Sequence, residues 1–508
     1  MNMTDIARPP QRLSALLAGL APVAPDQDVE IRGLDTDSRR LRAGGLFMAC
    51  RSFSGGAHGL AHLEQARALG AAAILWEPAT GISAPVVSAV PSLAIKNLSH
   101  HAGAIAGRFY GEPSARLFVV GITGTDGKTS TAHILAQALA RLGGRCGYLG
   151  TLGYGFLPEL DTATHTTPDG VMLQRWLAWL AQQGADSVMM EVSSHALDQG
   201  RANGVAFELA VLTNISRDHL DYHGEQQHYI AAKRQLFSVK GLRAAILNQD
   251  DVHGSQWLNE LPAGVAGVTY GLANAAAAGA SRYVLGAEPE PHERGLRLAV
   301  RTSWGSGVLE SKLLGRFNAY NLLAALAVLL EKDIPLSDAL AALREVDTVP
   351  GRMQAIRVKD RQPLVAVDYA HTPEALGQAL RAMRAHCRGE LTVVFGCGGD
   401  RDRGKRPLMA AAAVEYADCL IITDDNPRSE DPQAIMRDIL AGLPAGTRIT
   451  VEHDRARAIA QALAGAGPRD AVLVAGKGHE DYQIYGRERR HFSDRLVVAA
   501  CIAGERNA

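Results

Sequence analysis

No stretch of this chain approaches the roughly 18 consecutive apolar residues that a membrane-spanning helix requires. Its start carries no basic segment followed by an apolar one, so neither a membrane partner nor a secretion signal is expected. A surplus of one charge is missing too: 52 Lys and Arg face 53 Asp and Glu, a formal net charge of -1. With no overall field, and no Lys/Arg stripe interleaved with aromatics, nucleic acid is not an expected partner. Cysteine is sparse. Cys50, Cys146, Cys387, Cys397, Cys419 and Cys501 are scattered, with no close pair and no accompanying His spacing. That argues against a disulfide framework or a zinc site and for reduced thiols in a cytoplasmic protein. Internal repeats are absent. What remains, 47% hydrophobic and 21% charged over 508 residues, is the composition of a globular protein too long for one core, so about three domains are expected.

The most informative segment is Gly121 to Thr129, Gly-Ile-Thr-Gly-Thr-Asp-Gly-Lys-Thr, which follows the apolar run Leu117 to Val120. Ile134, Leu135, Ala138, Leu139 and Leu142 then share one face at helical spacing, and Gly143-Gly144 supplies a stop; the spacing predicts a helix over 131–142. A strand, a glycine-rich turn with Lys and Thr, and a helix offer backbone N–H groups, a helix N-terminus and one cation to the phosphates of a nucleotide. Five residues separate Gly121 from Gly127, one more than the strict phosphate-loop pattern allows.

The chain reads as α/β: a small N-terminal domain over 1–113, a central nucleotide-binding domain with a parallel sheet over 114–349, and a C-terminal Rossmann-like domain over 350–508. Tyr110 to Ser114 and Val349-Pro350-Gly351 mark the boundaries. In the third region four strand-like runs each end in a polar cluster. Leu364 to Val367 leads to Asp368-Tyr369-Ala370-His371, and Leu391 to Phe395 to Gly396 through Arg401. Leu420 to Thr423 leads to Asp424 through Arg428, and Val472 to Ala475 to Gly476-Lys477-Gly478-His479-Glu480. Ligands bind outside the carboxyl ends of parallel strands, so the four clusters are expected to converge on one edge.

If Lys128 meets the terminal phosphates and Thr129 a Mg²⁺ ion, further ligands are needed nearby. Glu191, ending a predicted strand, is a candidate, though a Glu in that setting also caps helices or pairs with Arg. His219 follows another strand beside Asp218; a metal or phosphate role competes with a plain structural one. The Pro-fixed turn Asp425-Asn426-Pro427-Arg428 suits capture of a carboxylate by Arg, and Glu480 could receive an amine. Together they could grip an amino acid at both ends, or they form a salt-bridge network.

These strings, in this order, resemble the Mur ligases of bacterial cell-wall synthesis. The shared set is Gly-Thr-x-Gly-Lys-Thr, Glu-Val-Ser-Ser-His, Thr-Asn-x-x-x-Asp-His-Leu-Asp, Asn318-x-x-Asn321, Asp368-Tyr-Ala-His-Thr-Pro, Gly-Asp-Arg-Asp-x-Gly-Lys-Arg-Pro, Asp-Asn-Pro-Arg and Gly-Lys-Gly-His-Glu. It runs from about Asp35 to Glu480. The resemblance implies an ATP-dependent, ADP-forming ligase acting through an acyl phosphate. Its diaminopimelate-adding branch, marked by the Arg of Asp-Asn-Pro-Arg, implies three partners: UDP-N-acetylmuramoyl-L-alanyl-D-glutamate, meso-2,6-diaminopimelate and ATP, handled by a monomer.

Position by position, the resemblance implies ATP binding by Gly124, Thr125, Asp126, Gly127, Lys128, Thr129 and Ser130, with Asn318 and Asn321 on the adenine side, Asp368 on the ribose, and Arg352. It places Ser38, Phe53, Ser54 and Gly55 on the uridine nucleotide, with His58 close by, and Thr166, Thr167, Ser193, Gln199 and Arg201 on the muramoyl-dipeptide. Diaminopimelate falls to Arg401, Asp425, Asn426, Pro427, Arg428, Gly476 and Glu480. The implied catalytic set is Lys128, Glu191, His219 and Lys233, and the metal set Thr129, Glu191, His219 and Lys233. Lys233 enters as a carbamate formed with CO₂, which turns a cation into an anion able to bind Mg²⁺; taken alone it reads as a surface lysine. His371 and His479 are candidate bases. Asp126 departs from the family, which usually has Asn there, and places a carboxylate near phosphates. No family string is found over 151–165 or 270–300. Rival readings are an L-lysine-adding ligase, a folylpolyglutamate synthetase and a nucleotide-hydrolysing switch.

Overall fold

The computed structural model describes the chain except residues 1–5, 7, 54–55, 86–89, 293–294, 357–362 and 504–508. It is α/β, and its chain divides into two compact units, Met1–Val284 with Ala324–Asp333 and Leu285–Leu323 with Ile334–Ala508.

The first unit opens with a parallel sheet ordered Gly33–Asp35, Gly45–Ala49, Ala73–Trp76, Ser92–Ala94. Helix Leu98–Tyr110 follows and stops at Gly111, whose φ of 75° is the left-handed conformation a helix C-terminus favours. Its Gly103 meets the loop at Asn203 so closely that a Cβ would lie 2.3 Å from the Asn203 carbonyl oxygen. Arg175, on helix Gly170–Gln182, donates to the Tyr110 hydroxyl at 3.0 Å and to Asp35 at 3.0 Å. These contacts join the early residues to the middle of the chain within one unit.

The main sheet of this unit runs Leu160–Asp161, Gly153–Phe156, Cys146–Gly150, Ser187–Glu191, Phe118–Thr123, Leu209–Leu212, Ala244–Asn248, Ala266–Gly271. From Cys146–Gly150 onward every pairing is parallel. The strands read as unbroken apolar runs because both faces are covered, as in Val188, Met189 and Met190, none of them exposed. Phe118–Thr123 lies between Ser187–Glu191 and Leu209–Leu212. The chain leaves it toward one side of the sheet and returns on the other, so its carboxyl end is a switch point where a ligand crevice forms. The helix after the loop spans Lys128–Arg141, three residues longer at its start than the apolar spacing predicts. Gly127, at φ 82°, turns the chain directly into it. Part of 151–165, which carries no recognisable string, forms the antiparallel pair Gly153–Phe156 and Leu160–Asp161.

In the second unit, Glu290–His292, Gly295–Thr302 and Gly305–Ser311 pair antiparallel, and the first two take up part of the other silent stretch. The larger sheet is ordered Gln354–Ile356, Leu364–Asp368, Ala471–Ala475, Leu391–Phe395, Cys419–Ile422, Ile449–Val451, parallel except for its first strand. Leu364 and Ala366 face Leu376, Leu380 and Met383 on one side. Val365 and Val367 face Ala458 and Ile459 on the other. The four expected strand runs are neighbours, and their polar ends therefore share one edge.

Candidate active site

In the first unit the phosphate loop wraps its lysine inward. Lys128 Nζ donates to the carbonyls of Gly124 at 2.8 Å and Thr125 at 2.7 Å. Gly124 is required as glycine: its φ is 145°, and a Cβ would fall 1.9 Å from Thr213 Oγ1. Asn214 and Thr213 brace the loop, Asn214 Oδ1 accepting from the Asp126 N–H at 3.0 Å and Thr213 Oγ1 donating to the Asp126 carbonyl at 2.6 Å. Thr125 Oγ1 lies 2.8 Å from the Tyr229 hydroxyl. Ser130 continues the helix; its role rests on the sequence alone.

Glu191 is the hub of the site. It is fully buried, and its carboxylate accepts from Thr129 Oγ1 at 2.8 Å, Tyr148 OH at 2.5 Å, the Thr151 N–H at 2.9 Å and Thr151 Oγ1 at 3.2 Å. Thr151 Oγ1 lies 3.0 Å from Thr166 Oγ1. Thr167 Oγ1 donates to the Glu191 carbonyl at 2.9 Å and accepts from the Ser193 N–H at 3.1 Å. Arg201 donates to the Thr167 carbonyl at 3.2 Å and to Gln199 Oε1 at 2.8 Å. One network thus gathers Thr129, Glu191, Thr166, Thr167, Ser193, Gln199 and Arg201. Among the described residues no Arg pairs with the Glu191 carboxylate; its partners are three hydroxyls and one N–H.

Lys233 corrects its plain sequence reading. It is 1% exposed, with Nζ donating to the Gly124 carbonyl at 2.7 Å and lying 4.5 Å from the centre of the Tyr229 ring. Burial, with help from the neighbouring Lys128 cation, pushes its amine down from the ordinary 10.5 to about 6. His219 pairs with Asp218 at 3.4 Å, packs edge-on against His195 with ring centres 4.8 Å apart, and has its ring centre 6.3 Å from that of Tyr229. Its backbone φ of 51° is unusual for a residue other than glycine. No hydrogen bond or ion pair among the described residues joins it to Thr129 or Glu191.

The uridine-side candidates lie in the N-terminal sheet region. Ser38 is buried and donates to Gln65 at 2.8 Å. Phe53 carries the Arg51 guanidinium over its ring at 4.7 Å and meets His100 edge-on. Ser54 and Gly55 lie outside the described residues. His58 is held structurally, accepting from the Leu60 N–H at 3.1 Å and lying 2.9 Å from the Glu77 carbonyl.

The second unit brings its polar strand ends together. Asp368 accepts from the N–H groups of Met353 at 2.6 Å and Ala370 at 2.8 Å, while burial raises its carboxyl above the usual range. Arg352 lies over Tyr369 at 5.4 Å, and Tyr369 stacks on His479 at 5.2 Å. Burial lowers the His479 imidazole. Asn321 donates to Asn318 at 2.9 Å, and Asn318 to the Leu314 carbonyl at 2.8 Å.

Arg428, at φ 52°, is clamped by the hairpin strand Tyr482–Tyr485. Its N–H donates to the Ile484 carbonyl at 3.0 Å and its carbonyl accepts from Gly486 at 2.7 Å. Its guanidinium donates to the Gly399 carbonyl at 2.8 Å. A Cβ on Gly399 would meet the Pro427 carbonyl at 1.9 Å, so the two loops pass backbone to backbone. Arg401 is exposed and donates to the Asp400 carbonyl at 3.2 Å. Gly476, at φ 116°, donates to the Asp368 carbonyl at 3.1 Å. Asn426 Nδ2 donates to Glu480 at 3.2 Å.

Sequence reasoning missed Tyr148, Thr151 and Gln483. Tyr148 and Thr151 acquire meaning only when Cys146–Gly150 pairs with Ser187–Glu191, a strand order the sequence does not state. Gln483 donates to the carbonyls of Asp424 at 3.2 Å and Asp425 at 3.1 Å. No local signal marks it.

Among known proteins, residues 122–329 match the Mur ligase middle domain and residues 351–478 the Mur ligase glutamate ligase domain. The UDP-N-acetylmuramoyl-L-alanyl-D-glutamate--2,6-diaminopimelate ligase of Alkalilimnicola ehrlichii is 49% identical over 98% of this chain and 100% of its own. The Pseudomonas aeruginosa protein of the same name is 48% identical over 92% of this chain and 94% of its own. A solved structure with that ligase name is similar with a TM-score of 0.77 at 35% identity, covering 98% of this chain and 100% of its own. The chain belongs to the Mur ligase family.

Proposed function

We propose that this chain joins meso-2,6-diaminopimelate to the D-glutamyl carboxylate of UDP-N-acetylmuramoyl-L-alanyl-D-glutamate, with ATP split to ADP and phosphate. The full-length likeness to ligases of that name supports the reaction. The observation that carries it is the Glu191 network, which ties the phosphate-loop Thr129 to Thr166, Thr167, Ser193, Gln199 and Arg201. A nucleotide switch needs the loop but has no use for a carboxylate-centred network reaching that far from it.

The D-glutamyl carboxylate oxygen attacks the γ-phosphorus, the bond to the β–γ bridging oxygen breaks, and ADP leaves. The neutral amine of diaminopimelate then attacks the acyl carbon, phosphate departs, and the amine sheds a proton. Phosphoryl transfer asks chiefly for positioning and charge neutralisation. Lys128 supplies a cation at the start of its helix, where backbone N–H groups also point at phosphate. Oxygen donors suit Mg²⁺, and Thr129 Oγ1 and Glu191 Oε2, 2.8 Å apart, would hold it. When bound, the ion neutralises phosphate charge. Lys233 as an ammonium does not fit a cation; as a carbamate it does. An amine at about 6 is largely neutral near pH 7, which favours attack on CO₂. The role of His219 as a further ligand rests on the resemblance.

Arg428, Asp425, Asn426 and Glu480 would hold diaminopimelate, Arg428 meeting the distal carboxylate that L-lysine lacks. The division 1–113, 114–349 and 350–508 is proposed to separate the uridine-nucleotide, ATP and amino-acid duties, supported by the three main sheets. We further propose a cytoplasmic monomer. The test is phosphate release with a panel of amino acids: release should require both the UDP-linked dipeptide and diaminopimelate, and L-lysine should not substitute.

A further inference from the structure

Lys477 is fully buried, yet nothing in the reaction as proposed uses it. Its ammonium donates to Asp425 Oδ1 at 3.0 Å, Asn426 Oδ1 at 3.2 Å and Glu480 Oε2 at 3.3 Å. An ammonium has three N–H groups, and three acceptors take them. Those acceptors belong to two different strand ends: Asp425 and Asn426 follow Cys419–Ile422, and Glu480 follows Ala471–Ala475. Asn426 completes the loop by donating to the same Glu480 oxygen.

With its donors committed, this lysine is not placed to touch a substrate. Its effect is on its partners. Two carboxylates and one ammonium leave a single net negative charge, which matches the capture of one ammonium group. Without the lysine, the carboxylates of Asp425 and Glu480 would both face the space its head group fills. A buried charge stripped of its partner is costly, so the two carboxylates would splay apart.

We propose that Lys477 is the positioning residue of the amino-acid pocket: it locks Asp425, Asn426 and Glu480 into one arrangement with the charge and spacing that receive the amine of diaminopimelate. This rests on the reaction proposed above. Lys477 stands inside the polar run Gly476 to Glu480, but a lysine between glycines gives no hint of burial in the sequence.

The test is steady-state kinetics of Lys477→Met in the full-length enzyme, with each substrate varied in turn. The KM for diaminopimelate should rise about 10- to 100-fold, the effect of a lost charged hydrogen bond. The KM values for ATP and the UDP-linked dipeptide should stay within about twofold, and kcat at saturating diaminopimelate should be largely kept. Adding Asp425→Asn to Lys477→Met relieves the repulsion, so together they should raise that KM by less than the product of their separate effects. An unchanged diaminopimelate KM, an equal rise in KM for all three substrates, or a strictly multiplicative double variant overturns the proposal. If Lys477→Met lacks the far-ultraviolet circular dichroism of the parent, Lys477→Gln, which keeps two donors, carries the same measurement with an intermediate rise expected. A parent enzyme that releases phosphate without diaminopimelate would instead remove the proposed reaction.

Discussion

Lys128 and Lys233 donate to the same acceptor: the Gly124 carbonyl oxygen lies 2.8 Å from Lys128 Nζ and 2.7 Å from Lys233 Nζ. Two ammonium groups on one oxygen repel each other. With burial as the larger cause, that repulsion brings the Lys233 amine down to about 6. Adding CO₂ to the nitrogen, with loss of a proton, replaces the repulsion by attraction, because the carbamate is an anion beside the Lys128 cation. Protein supplied with ¹³C-bicarbonate should therefore show a carbamate carbon resonance that Lys233→Met lacks. Its absence from the parent under saturating bicarbonate would remove Lys233 from the metal set.

The same amine makes stability depend on pH. Its folded value, about 6, lies below the ordinary 10.5, so between those values the unfolded chain binds more protons and folding stability rises with pH. The full cost of burying the amine is present below about 6 and is gone above the unfolded value. In CO₂-free buffer, the parent Tm should climb more steeply than that of Lys233→Met between about pH 6 and about pH 9. Parallel Tm profiles would contradict a buried neutral amine.

Gly150 ends the strand that presents Tyr148, and a Cβ there would sit 2.2 Å from Glu191 Oε1 and 2.5 Å from the Tyr148 hydroxyl. Gly150→Ala should displace the Glu191 carboxylate and lower kcat by about 100-fold or more, the scale of losing a pre-positioned catalytic group. The measured kcat checks this; a near-normal value would mean that Glu191 is not the hub of the reaction.

Asp126 puts a carboxylate on the exposed part of the phosphate loop, where it opposes a polyanion. Asp126→Asn should tighten ADP binding without Mg²⁺ by several-fold, about 1 kcal/mol of relieved repulsion near a surface. Calorimetric titration with and without Mg²⁺ reads this directly. The gain should shrink when the ion is present; an unchanged Kd in both arms would place Asp126 away from the phosphates.

Arg428→Ala should raise the diaminopimelate KM by an amount matching about 2 to 3 kcal/mol for a lost charged contact. L-lysine, with no distal carboxylate, should be discriminated less strongly by the variant than by the parent. An unchanged diaminopimelate KM would take Arg428 out of the pocket.

Much of this architecture was legible because strand and loop signals were local. Leu391 to Phe395 and Val472 to Ala475 are short apolar runs ending in polar clusters, and a parallel sheet sends such ends to one edge. The phosphate loop announced itself through Gly124, Gly127 and Lys128. What the sequence withheld was neighbourhood. Lys233 reads as a solvated lysine on a polar helix until Tyr229 and Gly124 enclose it, and Lys477 reads as a loop lysine until two strand ends close around it. Tyr148 touches Glu191 only because strand Cys146–Gly150 pairs beside Ser187–Glu191. The antiparallel strands around residue 300 carried no string and became visible only as structure.

The measurement closest to the central claim is inorganic phosphate release by the parent and by Lys128→Ala. The parent should release phosphate only when ATP, UDP-N-acetylmuramoyl-L-alanyl-D-glutamate and meso-2,6-diaminopimelate are all present, and Lys128→Ala, still folded, should release about 1% of that or less. Phosphate release by the parent without either acceptor substrate, or substantial turnover by Lys128→Ala, would contradict the account.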